Sequence, residues 1–376
     1  MRNKKKILRA VTSAQSLAFC RDVMVKMRAV GYDMVAVTSP GPELDSLRHD
    51  DGFHCVAVPM HRRISPVADL VSLVRLVIVM AKERPWVVHS MTPKAGLLCM
   101  IAAWLTGVPV RVHTFTGLVW PTATGLKRRL LMMTDRITCA CATHVIPEGK
   151  GVMHDLQHGG ITSKPMRVLG HGNVKGVDIE RFDPSRLGAQ AASGAFTFLF
   201  VGRIVGEKGI NELVEAFARL HEEQPATRLV LVGNYETELD PLSQGTRRII
   251  DAMDAIETPG PKRGDDLVSA YAEADCFVMP SYREGFPNVV LEAGAMGLPS
   301  VVTDINGSRE IVENGKNGLV VPPRDAAALY DAMKLMATDN EARQRMAREA
   351  RPMIVSRFER GYVQRCQIEF YKDVMG

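Results

Sequence analysis

Short β-rich runs alternate with amphipathic helical stretches along this chain, and halfway through the alternation starts again. KILRAVTS, DMVAVTS, CVAVPM, WVVHSM, VPVRVHTF, HVIPEG and MRVLG read as strands, and between several of them lie helical stretches such as 16–30, 67–82 and 95–106. This order predicts a doubly wound sheet, parallel for the most part, with helices on both faces. FTFLFVGR, TRLVLVG, a short strand near Glu257, CFVMPS, SVVTD and LVVPP form a second series with helices of its own. The join falls at 175–193, where GVD, DP and AASG supply turn formers and little periodicity. A chain of 376 residues has the length for two such domains. The expected architecture is α/β, with ligands at the carboxyl ends of the strands.

Other classes are disfavoured. The basic start RNKKK runs into ILRAVTS without a long apolar region, so no secretory signal is expected. The most hydrophobic stretches, 67–81 and 95–110, are too short or too interrupted by charge for a membrane span. Seven cysteines show neither a CxxC pair nor metal-ligand spacing, and scattered thiols suit a reducing cytoplasm. Gly170-His-Gly172-Asn-Val-Lys-Gly176 imitates a dinucleotide fingerprint with one residue too many. VDIERFDP follows it where a helix should open, so NAD binding is not expected. The net charge of +5 is uneven, at +11 over residues 1–180 and −6 over the remainder. The imbalance fits either an anionic partner for the first domain or ordinary surface variation.

Two groups of residues carry the functional reading. Val201-Gly202-Arg203-Ile-Val-Gly-Glu-Lys208-Gly follows the strand FTFLFV directly. Its glycines permit a tight turn and close approach of backbone to ligand. Arg203 and Lys208 are expected to converge on one anion, and the helix opening at Asn211 adds a favourable dipole. Further on, REGFPNVVLEAGAMG holds Glu284 and Glu292 eight residues apart. An eight-residue helix rises ~12 Å, too far for the ~5–5.5 Å carboxylate pair of a retaining glycosidase. Pro287 suits a first helical turn, which leaves Glu284 in a loop and Glu292 in the second turn. The amides of Asn288 and Val289 then lie between two acids. Such an arrangement fits an extended ligand with hydroxyls at each end and phosphates in the middle, the shape of a sugar nucleotide.

With VGRIVGEKG, SAYAEADCFVMPS, the interdomain GVD and the ending SRFERGYVQRCQIEFYKDVM in this order, the chain resembles the retaining glycosyltransferases of family 4. The likeness covers nearly the whole length. It implies the GT-B fold: two Rossmann-like domains, 1–176 and 177–355, facing across a cleft, with a helix over 356–376 crossing back to the first. By the same likeness Arg203 and Lys208 neutralise the diphosphate, Glu284 meets donor-sugar hydroxyls and Glu292 the ribose. Gly202, Phe286, Pro287, Asn288 and Val289 line the donor pocket, and the base lies near Lys262. His113, which ends the strand VPVRV, reaches the donor sugar or is a structural residue.

The acceptor is expected on the first domain. Where many relatives carry a Gly-Gly loop after the first strand, this chain has Thr12-Ser13-Ala14, a departure that requires the contact to be rebuilt or lost. Lys94, at a helix start, and Thr114 to Gly117 are similar to bacterial transferases that extend undecaprenyl-diphosphate-linked saccharides in capsule, O-antigen or glycoprotein glycan assembly. GLKRRLLMMT serves equally as a membrane-surface helix or as a core face with a charged flank. No Asp-x-Asp metal motif is present, and Glu236-x-Glu238-x-Asp240 is a poor substitute, so neither a metal nor another cofactor is expected. The partners implied are a nucleoside diphosphate sugar, UDP-hexose or UDP-N-acetylhexosamine, and a saccharide acceptor, with no nucleic acid. The setting implied is the cytoplasm, with peripheral contact to the inner face of its membrane. Rival readings are a sugar-nucleotide epimerase of the same fold and a non-catalytic nucleotide-sugar-binding subunit.

Overall fold

Each sheet is six-stranded and wholly parallel in the computed structural model, which describes residues 3–61, 64–186, 194–236 and 240–375. The chain forms two compact units, one built from residues 1–175 with 361–376 and one from 176–360. The first division falls next to the expected 176. The second lies at 360, not 355, because the penultimate helix stays packed in the second unit through Ile354 and Phe358.

Unit 1 contains β1 (Asn3–Ala10), β2 (Asp33–Thr38), β3 (His54–Ala57), β4 (Pro85–Met91), β5 (Val110–Phe115) and β6 (His144–Pro147). They lie in the order β3-β2-β1-β4-β5-β6. The helices are α1 (Arg21–Ala29), α2 (Pro42–His49), α3 (Pro66–Glu83), α4 (Pro93–Leu105), α5 (Gly125–Cys141) and α6 (Lys150–His158). Three of them open on proline, whose fixed φ and missing N–H suit a first turn. One face of the sheet packs under α3, α4 and α5 through Leu76, Met80, Leu98 and Cys139. The other packs under α1 and α2 through Met24 and Leu44, joined there by Phe370 and Tyr371 from the end of the chain.

MRVLG does not form the expected strand. Met166 makes a single parallel bridge to Val145 on the short edge strand β6, and the chain then turns at Gly170, where φ is 57°. Left-handed backbone recurs at Gly172, Asn173 and Gly176, and no helix opens on this segment.

Unit 2 repeats the plan with β7 (Phe196–Val201), β8 (Thr227–Val232), β9 (Ile256–Gly260), β10 (Cys276–Met279), β11 (Ser300–Thr303) and β12 (Gly318–Val321). Their order is β12-β11-β10-β7-β8-β9. Its helices are α7 (Ile210–Glu223), α8 (Gln244–Ala252), α9 (Gly264–Ala272), α10 (Asn288–Ala295), α11 (Ser308–Ile311), α12 (Ala326–Thr338) and α13 (Asn340–Phe358). Side chains of Ser243, Asp325 and Asp339 accept the third amide of α8, α12 and α13, satisfying donors that a helix start leaves orphaned. The chain ends in α14 (Arg360–Met375), most of which belongs to unit 1.

Candidate active site

In unit 2 the loops after β7, β8, β9 and β10 meet at the carboxyl edge of the sheet. The Gly202 amide donates to Val232 O at 2.9 Å, and the Gly233 amide to Gly260 O at 3.1 Å. A Cβ on Gly233 would lie 1.7 Å from Gly202 O, so only glycine allows the β7 and β8 ends to close up this far. After β7 the chain makes a tight turn over 206–208 and enters α7 through Gly209, where φ is 71°.

Three cations of this edge are held by carboxylates. Arg203 donates through Nη1 to Glu236 and through Nη2 to Glu207 Oε1 at 2.7 Å. The second oxygen of Glu207 accepts from Arg283 Nη2 at 3.0 Å, so one carboxylate joins two guanidiniums. Burial pushes the Glu207 carboxyl up, but Arg283 and Arg203 outweigh it and hold the group below the ordinary carboxylate range. Burial alone would lower Arg203, and Glu236 and Glu207 reverse this and raise it. Lys208 donates to Glu284 Oε1, with both side chains largely buried. The structure therefore joins Lys208 to Glu284 and gives Arg203 to Glu207 and Glu236, where the sequence led us to expect Arg203 and Lys208 together on one anion. Three positive groups at one sheet edge repel unless neutralised, and those carboxylates supply the opposite charge.

Glu284 lies in the loop before α10. Pro287 caps that helix one residue earlier than expected, and α10 opens on Asn288 and Val289, with Glu292 in its second turn. Phe286 is buried against Phe358, ring centroids 5.3 Å apart, and pins the loop from below. Tyr271, fully buried, donates to Glu292 Oε2 at 3.0 Å. Burial, then the Glu292 charge, raise this phenol well above its ordinary range, so it remains a donor. Lys262 is half-buried just beyond the end of β9. Glu238 lies outside the described residues. Among the described residues no three His, Cys, Asp or Glu side chains gather as a metal site.

In unit 1 the expected acceptor residues lie at or just after strand ends, but several are already engaged. The Thr12 hydroxyl accepts from Ala95 N at 3.1 Å and lies 2.7 Å from Thr92 Oγ1, so it caps α4. Thr92 itself has a φ of 70°, an uncommon strain for a β-branched residue. Ser13 Oγ bonds Ser16 Oγ at 3.0 Å. Lys94 donates to Asp69 at 2.7 Å, so its charge is already countered. His113 is buried with Nδ1 2.9 Å from Ser90 Oγ and its ring against Gly96, where a Cβ would come within 2.3 Å. Burial lowers its pKa to about 3, so the imidazole is neutral. Thr114 Oγ1 lies 2.7 Å from His89 Nε2. His113, Thr114 and Gly117 line one small cavity with Thr92, Trp120 and Asp135. Burial raises the Asp135 carboxyl to about 7, against the opposing influence of Trp120.

Two family models match the chain, the glycosyl transferase 4-like domain over residues 18–172 and glycosyl transferases group 1 over 186–353. The capsular polysaccharide biosynthesis glycosyltransferase CapM of Staphylococcus aureus is 31% identical over 370 residues, covering 95% of this chain and 94% of that protein. The chain belongs to the group 1 glycosyltransferases, of the family 4 type. This glycosyltransferase is also 30% identical over 334 residues to the UDP-Gal:alpha-D-GlcNAc-diphosphoundecaprenol alpha-1,3-galactosyltransferase of Escherichia coli, covering 85% and 83% of the two chains. Its fold is that of Anabaena Alr3699/HepE, solved in complex with UDP-glucose, with a TM-score of 0.79 at 18% identity over 98% and 99% of the two chains.

Sequence reasoning about the glycosyltransferase missed Arg283, Glu207 and Tyr271. Arg283 stands beside Glu284 in the quoted motif, and Glu207 is four residues from Arg203, a spacing at which ion pairs form across a helical turn. Tyr271 carries no comparable signal, since its link to Glu292 exists only once α9 and α10 pack together.

Proposed function

We propose that this glycosyltransferase moves a hexose or N-acetylhexosamine from its UDP derivative to a saccharide acceptor borne on a lipid diphosphate, with retention of anomeric configuration. The class of product would be a surface polysaccharide such as capsule or O-antigen. The observation that carries this reading is the set of three cations, Arg203, Lys208 and Arg283, held at one carboxyl sheet edge by carboxylates. A diphosphate presents negative charge to those cations in a more compact form than Glu207, Glu236 and Glu284 do. Glu292, steadied by Tyr271, is then a hydroxyl acceptor for a ribose. The names of the Staphylococcus and Escherichia relatives support a capsular or undecaprenyl-linked product, and the Anabaena complex supports UDP.

In this reading Lys208 and Arg203 stabilise charge as it grows on the β-phosphate while the bond from the anomeric carbon breaks. The departing phosphate oxygen takes the acceptor's hydroxyl proton as the hydroxyl oxygen bonds to the anomeric carbon from the same face. Glu284, released from Lys208, turns to the sugar hydroxyls. The protein supplies position and charge, and the reaction needs no metal. The test is calorimetric titration of UDP and GDP with and without Mg²⁺, followed by turnover of UDP-sugars with a lipid-linked acceptor. Binding of UDP unaffected by Mg²⁺, with transfer by the isolated chain, is the expected result. Failure of UDP to bind would overturn the donor assignment, and binding without turnover would favour a non-catalytic subunit.

A further inference from the structure

Among the described residues, fifteen large apolar side chains are exposed, and twelve of them lie between Ile64 and Ile137. Such a concentration is not the scatter normal for a soluble surface. On α3 they are Val67, Leu70, Val71, Val74 and Ile78, at intervals that draw one stripe along a helix, while Ser72, Leu76 and Met80 fill its buried side. On α5 they are Leu126, Leu130, Met133 and Ile137, again one stripe. Trp104 and Leu105 are exposed in the last turn of α4, which packs against both α3 and α5. The three helices thus form one layer over one face of the unit 1 sheet. The extremes, Val67 and Leu126, are 78% and 81% exposed, values that a core-facing helix with a charged flank would not give.

The charges on this layer identify what covers it. Every charged side chain exposed on α3, α4 and α5 is basic: Arg75, Lys82, Lys127, Arg128, Arg129 and Arg136. The acids of these helices are turned inward or paired. Asp69 accepts from Lys94, Glu83 from Lys6, and Asp135 is buried. A second copy of this chain set face to face would oppose cation to cation. An anionic headgroup layer neutralises the same residues while its acyl boundary takes up the apolar stripes. No helix among the described residues is long and apolar enough to cross a bilayer, which leaves attachment in the plane of the surface.

We propose that the outer layer formed by α3, α4 and α5 docks unit 1 on an anionic lipid bilayer. This deepens the reading of a lipid-borne acceptor by naming the surface that meets the lipid. Its test needs no turnover, so the two readings fail separately.

The experiment is flotation of the full chain with vesicles of phosphatidylcholine containing phosphatidylglycerol, against phosphatidylcholine alone. Wild type is expected to float with the anionic vesicles, and less so as salt rises. Two variants report independently: Leu70→Gln with Val74→Gln and Ile78→Gln removes the α3 stripe, and Lys127→Glu with Arg129→Glu reverses charge on α5. Each is expected to weaken vesicle binding at least about tenfold with unit 2's nucleotide binding intact. Wild type that stays unbound to both vesicle types, or equal binding by both variants and wild type, overturns the proposal. So does a wild-type dimer in sedimentation velocity that the α3 variant dissolves, since a second copy would then be the occupant.

Discussion

Tyr271 reaches Glu292 from beneath α10, its hydroxyl 3.0 Å from Oε2 and 3.3 Å from Val289 O. A carboxylate gripped by a buried phenol is held in one direction. Glu292→Ala is therefore expected to cut UDP affinity roughly 10–100-fold, the range for losing hydrogen bonds to a charged group. Tyr271→Phe should cost less, because the carboxylate remains but is less firmly directed. Calorimetry on both variants checks this, and equal UDP affinity in wild type and Glu292→Ala would remove the ribose assignment.

Arg203 is shared between Glu236 and Glu207, and a diphosphate must compete for it. Glu236→Gln withdraws one competitor from a half-exposed site, so UDP should bind up to about fivefold tighter. Lys208→Ala should instead lower turnover on the order of 10²-fold. A Glu236→Gln variant that binds UDP more weakly would mean that this carboxylate orients Arg203 and does not compete for it.

At the entry to α7, Gly209 has a φ of 71°, and a Cβ there would lie 2.0 Å from the carbonyl oxygen of Pro280. The obstacle is backbone and cannot rotate aside. Gly209→Ala is expected to destabilise unit 2 by more than about 2 kcal/mol and to displace the neighbouring Lys208. Urea unfolding monitored alongside UDP binding would show both effects, and a variant as stable as wild type would contradict the contact.

Asp135 gives a pH dependence with a definite sign. Its folded pKa, raised by burial to about 7, stands above the ordinary 3.8, so the folded state holds a proton that the unfolded chain has released. Its contribution to stability is fully present below about pH 4 and is lost as pH rises through about 7, an effect on the order of 2–4 kcal/mol. Asp135→Asn keeps a neutral side chain throughout. The melting temperature of the variant relative to wild type should climb between pH 4 and 7 and level off above. A difference that does not vary with pH would show that the carboxyl ionises normally.

Why the strands could be read in advance is plain from FTFLFV. A continuous apolar run of aromatic and β-branched residues has few places to go except a strand covered on both faces. MRVLG has a similar composition but meets β6 only through Met166 before Gly170 turns the chain, and composition does not reveal how much edge a neighbour offers. The site was legible as residue types and not as pairings. Lys208 and Glu284 are 76 positions apart, and what joins them is the adjacency of β7 and β10, a property of sheet order. Thr12 and Lys94 show the converse. Each looked available for a ligand because its internal partner, the start of α4 for one and Asp69 for the other, lies far away in sequence.

Arg9, on the first strand, is wholly buried, and its Nη1 donates to the hydroxyl of Tyr371 at 2.5 Å. The residues that complete unit 1 are thus separated from it by all of unit 2. During synthesis the second unit can close as soon as its own strands emerge, while the first must wait until residues 361–375 have followed. Until then a guanidinium sits in an unfinished core. Order of translation and order of completion are reversed, and only a product that includes α14 gives a closed first unit. A chain stopped after Arg360 should accordingly show unit 2 resistant to limited proteolysis and unit 1 cut, and equal resistance of both would refute this.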